Sequence, residues 1–123
     1  MKIGVALPST AIGTDPNVVR DYAQAAEEIG YDHLAVYDHV VGVNLDSYDD
    51  WSGPYTSEHA FHDPFALFGF LAGQTTKIIL TPQVLILAQR QTVLVARQAA
   101  SVDVLSGGRL RLGVGIGWNP VEF

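Results

Sequence analysis

Apolar and polar positions in this chain switch between a period of two and a period near 3.6. Lys2 to Leu7 (KIGVAL) is a short apolar run closed by Pro8, which reads as a strand. Asp15-Pro16 then supplies an N-cap and a first-turn proline. Val18, Val19, Tyr22, Ala23, Ala26 and Ile29 recur at helical spacing until Gly30 ends the helix. His33 to Tyr37 (HLAVY) reads as a second strand. Asp63-Pro64 repeats the start signal, and Phe65, Leu67, Phe68, Phe70 and Leu71 form an apolar helix ending near Gln74. Ile78 to Leu87 (IILTPQVLIL) reads as a third strand interrupted by Pro82. Thr92 opens a third helix through Val104, with Val93, Leu94, Ala96, Ala100 and Val104 expected to face inward. Ser106-Gly107-Gly108 turns the chain into a fourth strand, Leu110 to Gly115.

The order βαβαβαβ predicts an α/β fold of parallel strands joined by right-handed crossovers. Two architectures fit: a small doubly wound sheet of flavodoxin type, or the first half of an eight-stranded (β/α) barrel. In both, ligands sit at the carboxyl ends of the strands. No helix follows the fourth strand before Phe123, which favours the half-barrel and gives the expectation of a shortened chain. On the half-barrel alternative, residues 1–123 would form one domain of about four strands and three helices. One connection breaks the compact pattern. Val40 to His62 has no clear period and carries Asp46, Tyr48, Asp49, Asp50, Trp51 and Tyr55. A loop this long is usually functional or disordered, and its aromatic residues point to an ordered lid at the ligand end.

Composition narrows the function classes. The 123 residues are 48% hydrophobic and 16% charged, a globular balance. A net charge of −6 argues against nucleic acid or an anionic membrane as partner. No cysteine is present, so disulfide and thiolate chemistry are excluded. No signal peptide or membrane span is read from Met1 onward, and a cytoplasmic location is expected.

Four groups at the expected ligand end are candidates for chemistry. Asp38-His39 follows strand two directly, and histidine is the side chain suited to moving a proton near neutral pH. The same pair also reads as a turn cap and a packed ring. Gln83-Val84 lies after Pro82, where a bulge would turn backbone polar groups toward a ligand. Arg90, between strand three and helix three, is placed to hold an anion or to be solvated. Gly113, Gly115 and Gly117 share one strand face, open to a flat ligand or to a closely packed neighbouring backbone. Their spacing is GxGxG without a following helix, so it is not the dinucleotide fingerprint. His59, His62 and Asp63 have a metal-like spacing but no third strong ligand nearby, and no metal site is assigned.

With these segments in place, the chain resembles the luciferase-like monooxygenase family, most closely its coenzyme F420-dependent branch. The resemblance spans essentially the whole chain. It is carried by KIGVALP (2–8), LAVYDHVVG (34–42), WSGPY (51–55), DPFALFGFLAG (63–73) and the run from Pro82 through SGGR and GVGIGW to Phe123. It implies the eight-stranded (β/α) barrel fold, with this chain as its N-terminal half. It also implies hydride transfer between reduced deazaflavin and a small organic substrate. FMN is the alternative coenzyme, in a flavin monooxygenase. By resemblance, Asp38 hydrogen-bonds the ring system, His39 handles the proton, and Gln83-Val84 is a non-prolyl cis peptide behind the ring. Ile116-Gly117 would lie against the coenzyme, and Trp51 or Tyr55 would close over the substrate. Trp118 stands where the sugar-phosphate branch has a catalytic acid, which speaks against a sugar-phosphate substrate. A further alternative is a non-catalytic fragment that self-associates through exposed strand edges, as a homodimer.

Overall fold

A computed structural model describes residues 1–123. Its strands and helices follow one another as β1 (Gly4–Ala6), α1 (Pro16–Ile29), β2 (His33–Val36), α2 (Pro64–Ala72), β3 (Ile79–Pro82), β4 (Leu85–Ile86), α3 (Thr92–Leu105) and β5 (Val114–Gly115). Single 3-10 turns occupy Leu87–Gln89 and Pro120–Glu122. Every strand pairing is parallel: β1 with β2, β2 with β3, and β4 with β5. A parallel bridge between Leu80 and Leu110 joins the three-stranded and two-stranded pieces.

The expected third strand is therefore two strands. The Gln83–Val84 peptide bond is cis and divides β3 from β4. Before it, the Gln83 N–H still donates to Val36 O in β2; after it, the Leu85 N–H donates to Gly113 O. The strand is bonded on both edges, since Leu80 already exchanges backbone hydrogen bonds with Arg109 and Arg111 upstream of the break. The expected fourth strand is shorter than its apolar run, reduced to the bridge at Leu110 and the two residues of β5.

Local signals set the helices. Asp15 and Asp63 each cap a helix through a carboxylate that accepts backbone N–H groups, with a proline at the first helical position. Gly30 closes α1 at φ 99°, a left-handed conformation that costs glycine little. The core lies between helices and sheet. It gathers Leu7, Val19, Ala23, Leu34, Val36, Phe68, Leu71, Ile78, Leu80 and Leu85. Helix α3 departs from its expected orientation. Val95 and Val102 are the residues it buries, whereas Val93, Leu94, Ala96, Ala100 and Val104 are exposed. Its sequence is apolar nearly all round, so the period alone does not choose which stripe meets α2.

Two polar clusters tie the amino-terminal ends of the strands together. Glu27 of α1 accepts from the backbone N–H groups of Thr76, Lys77 and Ile78 and from the Thr76 hydroxyl. Arg109, last residue of the SGGR turn, donates to Ser106 O, Thr75 Oγ1, Ile78 O, Ala72 O and Thr75 O. These include carbonyls left open where α2 ends, the place where a cation is most favourable.

Candidate active site

The opposite, carboxyl ends of the strands carry the candidate chemistry. A cleft of about 400 Å³ opens there, lined by Tyr37, Asp38, His39, Tyr55, Gln83, Val84, Ile86, Ile116, Gly117 and Trp118. That volume falls within the range of small-molecule sites, roughly 300–1,000 Å³. Six of the residues singled out in the sequence (Asp38, His39, Gln83, Val84, Ile116 and Gly117) meet in it, from three separate chain segments, and the lid residue Tyr55 joins them from a fourth. Val84 and Ile116 present exposed apolar surface, and Ile116 is 81% exposed. Trp51 does not line the cleft. It reaches the wall through Trp118, stacked at 6.1 Å and 22°, and its indole N–H donates to Tyr55 O at 2.9 Å.

Asp38 is buried at the floor. Its Oδ2 accepts from the Ile86 N–H at 2.8 Å, and Arg90 donates to both of its oxygens, at 3.2 and 2.6 Å. Arg90 also donates to Asp63 Oδ2 at 2.8 Å, while Asp63 Oδ1 caps α2. Arg90 thus holds a pair of carboxylates of this chain. Burial works to lower the Arg90 pKa, but the hydrogen bonds and charges of Asp38 and Asp63 outweigh it and the net direction is upward. The result is a ladder from the end of β2, through the start of α3, to the start of α2.

His39 lies between the cleft and a smaller cavity of about 160 Å³ and lines both. Its ring packs against Tyr55 and Phe61, each at 4.6 Å between centroids. Its Nδ1 is 2.8 Å from Glu122 Oε1. Glu122 escaped the sequence reading. The signal for it was present as Asn119-Pro120 followed by an acid at the third position, a helix-start pattern. Asn119 Oδ1 indeed accepts from the Val121 N–H, but the Glu122 carboxylate turns aside to His39.

The glycine strand answers the question that its sequence raised. A Cβ at Gly113 would come within 2.6 Å of Pro82 O, and one at Gly115 within 2.5 Å of Val84 Cγ2. Those glycines make room for the neighbouring strands, not for a ligand. Only Gly117, at φ 82°, borders the cleft. His59 and His62 are not brought together. His59 Nδ1 is taken by Thr56, and His62 lies beside Asp63 in a separate hollow.

Parallel strands, helical crossovers and a polar–apolar cleft at the strand ends define a (β/α)-type scaffold. The chain belongs to the luciferase-like monooxygenase family, whose pattern it matches over residues 1–123. It is 33% identical over 135 aligned positions to pyrimidine monooxygenase RutA of Allorhizobium ampelinum, covering 99% of this chain and 34% of that protein. Among solved structures, it superposes on the FMN complex of the oxygenating constituent of 3,6-diketocamphane monooxygenase from Pseudomonas putida. There the TM-score is 0.74, with 21% identity, 98% of this chain and 31% of that one. It also superposes on the coenzyme F420-dependent tetrahydromethanopterin reductase of Methanopyrus kandleri. The TM-score is 0.69, with 22% identity, 94% of this chain and 27% of that one. These likenesses confirm the fold class, and a partial half-barrel fits them. The chain spans 22–34% of the length of the curated relatives it matches. No helix is long and apolar enough to cross a membrane.

Proposed function

We propose that this chain supplies the ring-binding and proton-handling part of a coenzyme F420-dependent oxidoreductase acting on a small organic substrate. The observation that carries the reading is the cleft itself, where the apolar surfaces of Val84 and Ile116 share one space with Gln83 and His39. A deazaflavin ring is planar and amphipathic, and this residue set fits it. Val84, Ile86 and Ile116 would cover its apolar area, with Gln83 and the backbone of Gly117 at its polar edge. When bound, the coenzyme supplies or takes up a hydride. The chain's own work is to orient the ring, exclude water with Tyr55 and Trp118, and hold a proton at His39. Asp38 acts from below. Both its oxygens are engaged, so it fixes the floor through Ile86 and Arg90.

Titration of the chain with F420 and with FMN, followed by coenzyme fluorescence, tests this reading. Saturable binding with preference for F420 is expected. Preference for FMN would move the assignment to a flavin monooxygenase, the alternative favoured by the FMN-bound structural neighbour. Binding of neither would overturn the ring-binding reading.

A second reading rests on a different surface. Val104 and Leu105 of α3 are 79% and 71% exposed, and Leu112 and Val114 are exposed at and beside β5. Both β1 and β5 are unpaired sheet edges. Such a surface favours association with a second copy of the chain. The mass in solution tests it: a dimer is expected, weakened by Val104→Glu, and a monomer at all concentrations would contradict it.

A further inference from the structure

His39 meets its partner from a distant part of the chain. The His39 and Glu122 side chains are 7% and 3% exposed, so their contact is shielded from water. Glu122 is itself fixed in place. Asn119 Nδ2 donates to the same Oε1 at 2.8 Å, and Gln89 Nε2 donates to the Glu122 carbonyl at 2.8 Å. Asp38, the neighbour in sequence, is not available to His39, because Arg90 and the Ile86 N–H occupy its oxygens. The remaining groups against the ring are Tyr55 and Phe61. Behind Tyr55 stands His59, whose Nδ1 is already taken by Thr56.

A carboxylate accepts and does not donate. The short contact at Nδ1 is therefore an N–H···O bond, and it fixes the neutral ring in the tautomer protonated at Nδ1. Nε2 is then the nitrogen that carries the lone pair. It makes no hydrogen bond within the chain, and it is not sealed from solvent. Glu122 borders the smaller cavity and not the cleft, whereas His39 lines both.

We propose that Glu122 is a positioning residue for His39, one that locks the proton on Nδ1 and presents Nε2 to the cleft as the proton acceptor. The proposal rests on reading the cleft as the coenzyme and substrate site. When a substrate group passes its proton to Nε2, the ring becomes an imidazolium protonated at both nitrogens. The Glu122 carboxylate balances that charge, and return of the proton restores the neutral ring. Partners that orient a functional histidine in this way commonly change its performance 10–100-fold or more when removed (an order-of-magnitude range, about the same for metal-bound rings).

The test is the ¹⁵N spectrum of the His39 ring in the full chain at a pH where the ring is neutral. In the wild type, Nδ1 is expected to read as the protonated nitrogen and Nε2 as the unprotonated one. In Glu122→Ala the Nδ1 preference is lost, and in Glu122→Gln, which keeps the size of the side chain and so guards against misfolding, it is reduced. A wild-type ring protonated at Nε2, or an unchanged Nδ1 preference in both variants, would overturn the proposal. A purely structural role for Glu122 would leave the tautomer unmoved. Adding F420 to the same labelled sample reads the cleft separately. A locked tautomer without coenzyme binding would uphold the Glu122–His39 lock and remove the catalytic reading.

Discussion

Asp38, Arg90 and Asp63 show how one buried carboxylate can settle the geometry of the site it lines. Asp38 is 4% exposed and accepts three hydrogen bonds, two at Oδ2 and one at Oδ1. Removing half of a buried ion pair leaves the other half uncompensated, which costs more than the pair gained. Asp38→Asn is therefore expected to destabilise the chain by about 2–4 kcal/mol, read from the urea unfolding midpoint. A loss below about 1 kcal/mol would place this pair among weak surface bridges. Asp38 and His39 were both legible in the sequence, since they follow an apolar strand at its carboxyl end. Their partners were not. Arg90 is 52 residues from Asp38 and Glu122 is 83 from His39, so only the fold pairs them.

Elements are joined by contacts of the same kind at the amino-terminal ends of the strands. Burial raises the Glu27 pKa, but the hydrogen bonds from Ile78, Lys77 and Thr76 overcome it and hold the carboxyl down at about 2. The unfolded group titrates near its ordinary value, so the folded state gains stability from the ionised form. That gain is complete above about pH 4.5 and is lost as the pH falls toward 2. Glu27 is partly solvated, and screening leaves a net gain of about 1–2 kcal/mol. Glu27→Gln is expected to remove this acid-dependent limb from a plot of unfolding midpoint against pH. An unchanged slope between pH 5 and pH 2 would show that the three N–H donors do not act on Glu27 in solution. Gly115→Ala tests the glycine strand. The added methyl group must displace Val84, so a loss of about 1–3 kcal/mol is expected, read by thermal unfolding, with weaker coenzyme binding. Full stability in that variant would mean that β4 and β5 are not so closely packed.

At the scale of the whole molecule, helix starts, strand order and the ligand end were readable because they depend on caps, prolines and apolar runs. The split of the third strand was marked only by Pro82, and its pairing with β2 on one edge and with the Leu110–Gly115 segment on the other depends on residues far apart in sequence. The burial of α3 was misread because its apolar residues surround the helix, and only packing decides which stripe is covered. What this leaves is a family scaffold whose two ends differ in kind. One end is stapled by Glu27 and Arg109, and the other holds an apolar cleft around His39. The central claim is that a deazaflavin ring occupies that cleft. It is tested most directly by following the methyl resonances of Val84, Ile86 and Ile116 as F420 is added to the chain. Large, saturable ring-current shifts are expected at these three methyl-bearing residues, with none at Ile78 beside the Glu27 staple. Shifts that are absent, or that fall at the staple end, would contradict the account.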